Sequence, residues 1–169
     1  MPRLLTAVTL LLPLALVVGV LVIASVVRGQ RPAPLLLPAI AAPAADSADC
    51  THLMAALPQE LDGGAQGPLG RRELAAPVPS GSAAWGEPPV VLRCGLDRPA
   101  ELTATSRLLD VSGVQFLEIS HPAASAWVAV DRPRYVAVAL PPGAGSGPLQ
   151  QIAEVIIEAL PPRQLDLPH

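Results

Sequence analysis

The chain has no lysine and no asparagine, and only four of its 169 residues are aromatic: two tryptophans, one tyrosine and one phenylalanine. All 11 basic residues are therefore arginines. Arg3, Arg28 and Arg31 lie in or beside an apolar N-terminal stretch, whereas all 14 acidic residues come later, which leaves the rest of the chain at a net charge of −6. Phosphate backbones are held by clustered cations, so an acidic domain with few aromatic platforms is a poor nucleic-acid partner. Arg71-Arg72 is the one adjacent basic pair and reads as an exposed loop.

The motifs that carry common chemistries are also missing. There is no C-x-x-C, which removes a thioredoxin-like activity. Ser80-Gly81-Ser82 lacks the G-x-S-x-G frame of a nucleophile elbow. The glycine-rich run from Gly143 to Gly147 lacks the lysine of a phosphate-cradling loop. His52 is close to Cys50, but His121 and His169 are scattered, and Glu118-x-x-His121 has ligand spacing only on a helix, whereas here it ends a strand-like run beside Pro122. No catalytic residue, metal ligand or cofactor is expected.

What is abundant is apolar and irregular: 51% hydrophobic residues, 21 prolines and 13 glycines. Leu4 to Val27 contains no charge. As a helix it would be roughly 36 Å long, enough to cross a ~30 Å hydrocarbon core, and too long for the apolar region of a cleaved signal. It is expected to be a transmembrane signal anchor whose partner is the lipid bilayer through residues 4–27. The arginine count on its two sides is nearly balanced and leaves orientation open.

The expected organisation is an anchor over 1–28, a stiff Pro/Ala-rich linker over 29–48, a small domain over 49–162 and a tail over 163–169. Cys50, Leu53, Met54 and Leu57 recur at helical spacing, with Asp46, Ser47 or Asp49 as cap and Pro58 as stop. Residues 62–86 read as a long loop, with a brief strand around Arg72 to Ala75. Strands follow at Val90 to Cys94, Ser106 to Asp110, Gly113 to Ser120, Ala126 to Val130 and Tyr135 to Leu140. Ser146 and Pro148 open a last helix carrying Leu149, Ile152, Ala153, Ile156 and Leu160 on one face. The fold class is α+β: an N-terminal transmembrane helix, then a mostly antiparallel sheet of three to five strands packed by a short N-terminal and a C-terminal helix.

Cys50 and Cys94 are the only cysteines. In an extracytoplasmic domain two such residues usually pair, and a disulfide closing a loop of about 45 residues would add ~4 kcal/mol. Two buried thiols and a redox pair are the alternatives. Trp85, beside Gly86 and Pro88-Pro89, reads as a core plug under a turn.

The run Ala84-Trp85-Gly86-Glu87-Pro88-Pro89-Val90-Val91-Leu92-Arg93-Cys94-Gly95, preceded by Cys50, Leu53 and Leu57-Pro58 and followed by Thr105-Ser106 and Tyr135-Val136, resembles an actinobacterial membrane-anchored family labelled domain of unknown function 3515. The likeness spans about Cys50 to Leu160 and is looser at Gln115-Phe116. It implies one N-terminal anchor with the C-terminal domain outside the cytoplasmic membrane, it fits a Cys50–Cys94 pair, and it implies no activity. The resulting expectation is a single-pass cell-envelope protein acting as a non-catalytic interaction or accessory module, with another envelope protein or cell-wall material as partner. The alternative is an envelope small-ligand-binding domain or hydrolase with a site near Trp85, Glu87 and Arg93.

Overall fold

The computed structural model describes residues 16–22, 32–121 and 124–167. The chain divides into two compact units, Met1–Ala33 and Pro34–His169. In the first, residues 16–22 are helical, and the rest of the apolar run from Leu4 to Val27 lies outside the described residues. Among the described residues no helix is long and apolar enough to cross a membrane. This corrects the expected architecture. The α+β fold stands, with no transmembrane helix among the described residues, and the bilayer contact through residues 4–27, the signal anchor and the single-pass placement in the cytoplasmic membrane have no structural support.

The second unit begins with an irregular stretch. The segment expected to be a stiff, extended spacer lies against the domain: Leu35 N–H donates to Glu73 O at 2.8 Å, Leu35 O accepts from Ala75 N–H at 2.9 Å, and Leu37 and Ala45 are buried. The leucines and alanines among its prolines are apolar surface that the domain can bury.

Helix α1 (Ala48–Ala56) starts at Ser47, whose Oγ accepts the Cys50 N–H at 3.3 Å. Cys50 and Leu53 are its buried residues. It ends where Leu57 turns extended before Pro58, as a residue ahead of proline is pushed to do. Two short strands follow, β1 (Glu60–Asp62) and β2 (Pro68–Gly70), paired antiparallel around a single 3-10 turn.

The main sheet has six strands: β3 (Ser82–Trp85), β4 (Val90–Leu96), β5 (Leu108–Val111), β6 (Val114–His121), β7 (Ala124–Ala129) and β8 (Tyr135–Leu140). Their order is β3-β4-β8-β7-β6-β5, and every pairing is antiparallel. The sheet is wider than the expected three to five strands because β3 lies inside the stretch read as loop. The two-residue turn between β5 and β6 uses Ser112 and Gly113, both with positive φ (50° and 80°), which is the hairpin geometry that matches strand twist.

Helix α2 (Gly147–Ala159) closes the fold. Ser146 is at its N-cap but sits in the right-handed helical region, and its hydroxyl makes no capping bond. Pro148, which has no N–H to satisfy, fits the first turn. Leu149, Ile152, Ala153, Ile156 and Ala159 form its buried face.

Strand alternation splits the side chains between two faces. One face carries Trp85, Val90, Leu92, Cys94, Val114, Phe116, Val136 and Val138, packed with Leu53, Leu57 and the α2 face into the main core. The other carries a smaller cluster, Leu102, Leu117, Val128 and Val130, against which Leu165 and Leu167 of the tail pack. Cys50 and Cys94 form a disulfide with Cα atoms 5.7 Å apart, and both are fully buried in the main core.

Candidate functional site

Trp85, Glu87 and Arg93 are not brought together. Trp85 has no exposed surface; its indole Nε1–H donates to Pro58 O at 3.0 Å. The Arg71 guanidinium lies 5.3 Å from the Trp85 ring centroid, a cation–π distance, and burial lowers the Arg71 pKa. Arg72 is no exposed loop residue either. Its side chain is buried, donates to Gly86 O at 3.0 Å and pairs with the exposed Glu87 carboxylate. Arg93 points from the opposite sheet face, because its register neighbours Ser82 and Ala137 belong to that face. It is 8% exposed, donates to Pro38 O at 2.7 Å, and its pKa is lowered by burial. The three residues hold a turn and a covering segment in place and line no shared cavity among those described.

The face that carries Arg93 holds a different feature. The ladder aligns two rows across it. One runs Ile119, Ala126, Ala139, Val91; the other runs Leu117, Val128, Ala137, Arg93. In both rows the β8 position is alanine, and in the first the β7 position is alanine too. On the helix-packed face the same strands present Trp127, Val136 and Val138. Small side chains in the middle, with longer ones beside them, leave a trough.

Two irregular segments wall it. Ile40 and Ala41 line it, in the segment whose Pro38 carbonyl the Arg93 guanidinium holds. Further along, Ala44 N–H donates to Gly95 O at 3.1 Å. Gly95 has φ 85°, and a Cβ there would come within 2.3 Å of Ala44 C and Ala45 N, so only glycine allows this approach. Leu96, Asp97, Pro99 and Glu101 also line it, and Ile119, Ala126, Val128 and Ala137 are its sheet residues. The trough is open to solvent and has a volume of about 390 Å³, within the range of small-molecule clefts.

The lining is almost wholly carbon. Ala126, Val128 and Ala137 belong to interior strands, whose backbone N–H and C=O groups are used by the ladder on both sides. A ligand's polar atom in the floor would find no partner, which costs roughly 1–3 kcal/mol. Asp97 and Glu101 are the charged residues among the lining, and both are exposed. Arg98 lies between them in sequence but turns to the tail: Nε donates to Asp166 O at 2.8 Å and a terminal nitrogen to Leu102 O at 2.6 Å.

Sequence reasoning misses this trough because alanine in a strand carries no signal of its own. What makes a site is that register places Ala126 and Ala137 side by side with Ile119 and Val128 on one face. Among the described residues no group of three or more His, Cys, Asp or Glu is placed to hold a metal ion.

A family model described as Protein of unknown function (DUF3515) matches residues 10–165. The chain belongs to that family. Membership is all that the match carries: the membrane anchoring and actinobacterial origin attached to the resemblance do not follow from it, nor do an envelope or cell-wall partner, a role as an anchored accessory module, or a ligand-binding or hydrolytic site at Trp85, Glu87 and Arg93. No curated protein and no solved structure matches the chain.

Proposed function

We propose that this domain binds a ligand with a hydrocarbon body in the alanine-floored trough on the open face of its sheet. The carbon lining is the observation that carries the reading. Every atom of the floor offers dispersion and burial, and none offers a hydrogen bond. Each methylene moved from water into such a place contributes about 0.8 kcal/mol. An extended peptide is a poor occupant, since its backbone amides would lie against a sheet face with no free partner. An alkyl chain or ring system suits the lining, with its polar end left at the rim.

The experiment uses the full chain and a neutral long-chain alcohol carrying a photoactivatable diazirine at the end of its hydrocarbon tail. After illumination, mass spectrometry of the digested protein should place the adduct in peptides containing residues 119–137. Ala137→Phe fills the trough with a side chain that strands accept, and it should remove the adduct without lowering the melting temperature by more than a few degrees. Labelling spread evenly over the surface, or unchanged in Ala137→Phe, would overturn the reading.

A further inference from the structure

The two tryptophans are used in opposite ways. Trp85 has no exposed surface and spends its indole N–H on Pro58 O. Trp127 is partly exposed, and its indole N–H donates to nothing among the described residues. A tryptophan with an apolar body against the core and an unspent polar edge is the form found at binding surfaces. Trp127 lines a cleft of about 280 Å³ together with other residues of β7 and the loop that leads into α2. Leu140, Pro141, Pro142 and Ala144 give that cleft apolar surface. Ser125 and Trp127 are its only polar side chains, and the Ser125 hydroxyl is as free as the indole. They stand two positions apart on one strand, so both project from the same face, roughly 6.5 Å apart along it. Acceptors in the loop are partly used: Ala144 N–H donates to Pro141 O at 3.2 Å, and the Gln66 side-chain amide donates to Gly143 O at 2.9 Å.

We infer that this cleft binds a proline-rich peptide segment in the polyproline II conformation. Such a segment makes no internal hydrogen bonds, so its carbonyls are free to accept. Carbonyls two residues apart are separated by roughly 6 Å at its rise per residue, which matches the spacing of the Ser125 and Trp127 donors. Proline has no N–H, so a pyrrolidine ring laid on the indole strands no donor. An ordinary extended peptide would bring N–H groups to a loop whose Pro141 and Gly143 carbonyls are already spent. The polyproline II helix is also formed before it binds, so little ordering entropy is lost when it docks on an aromatic surface. Trp127 is on the helix-packed face and the alanine-floored trough is on the other, so neither reading depends on the other.

The test titrates the full chain into fluorescein-labelled decaproline and follows the anisotropy, with a Gly-Ser peptide of equal length as control. Decaproline should bind and the control should not. Trp127→Phe keeps an aromatic ring and removes the indole donor, and it should weaken binding about fivefold; Ser125→Ala removes the second donor and should weaken it about threefold. A second measurement uses the unaltered protein, so it stands even if Trp127→Phe folds poorly. Acrylamide should quench Trp127 and leave Trp85 emitting, and saturating decaproline should protect Trp127 from the quencher. Equal binding of the Gly-Ser peptide, binding unchanged in both variants, quenching unaltered by decaproline, or no binding of decaproline overturns the inference.

Discussion

The two faces of the six-stranded sheet are built from the same strands and come out unlike. The helix-packed face has Phe116, Trp85 and Val138 at zero exposure and is closed by α1, α2 and a disulfide. The open face has alanines at its centre and is covered by stretches without regular structure. Helices bring whole stripes of large side chains and exclude water along their length. Irregular segments reach this face through separate contacts, such as Pro38 on Arg93, Ala44 on Gly95 and Leu102 among Leu117, Val128 and Val130, and leave the trough uncovered. One face is thereby closed by helices, and the other keeps an open cleft.

The largest contrast should come from paired truncations. Phe116→Ala empties a fully buried position and should cost about 3–5 kcal/mol, whereas Ile119→Ala, three residues along the same strand on the open face, should cost under about 1.5 kcal/mol. Chemical denaturation of both variants measures the difference; equal losses would mean that the open face is as tightly packed as the other. Removing the disulfide with Cys50→Ala/Cys94→Ala should lower stability by about 4 kcal/mol. The helix-packed face should then be the first to lose hydrogen-exchange protection, because α1 is the element that the bond holds there.

A smaller effect is expected at Arg132, 5% exposed, which reaches from the β7–β8 connection to donate to Gly113 O at 2.9 Å. Arg132→Met keeps the apolar stem but takes the cation away from the largely buried Asp131 carboxylate as well as the donor from the exposed Gly113 carbonyl, at a cost of about 1–3 kcal/mol. Exchange should quicken first in the β5–β6 hairpin, and a uniform rise across the sheet would argue against this local role.

The smallest effect is one of pH. Burial raises the Tyr135 pKa, Asp166 raises it further, and Arg98 and Arg163 act in the opposite direction. The folded state thus keeps its proton to higher pH than the unfolded state, which loses it near pH ~10. Above that point the unfolded state binds fewer protons, so stability falls as pH rises. With no lysine, one tyrosine and both cysteines paired, no other side chain with an ordinary pKa in this window exists. Melting temperatures between pH 9 and 11 should fall in the unaltered chain and stay flatter in Tyr135→Phe.

Much of the framework was legible in the sequence. The α2 stripe, the alternating Tyr135–Leu140 strand and the proline stops follow from periodicity and from what proline cannot do. Strand β3 was not legible, because Ser-Ala-Ala-Trp has no β-branched residue and sits among glycines and prolines. The covering role of residues 35–45 was hidden in the same way: proline-rich composition predicts extended backbone and is silent on what the intervening leucines touch. The apolar N-terminal run misled most, since length and lack of charge specify a spanning helix that the described residues do not contain. The trough could be reached only through register, because Ala126, Ala137 and Ala139 become neighbours of consequence once β7 and β8 are aligned.

The bond between Cys50 and Cys94, 44 positions apart in sequence, also closes the chain into a ring, and β1, β2 and β3 all lie on that ring. The exposed stretch 76–78 lies on it too. A protease that cuts there opens the ring without separating the pieces. The nicked protein keeps its mass on a non-reducing gel and falls into two fragments only when a thiol is added, so a cut that would sever a linear domain leaves this one covalently whole.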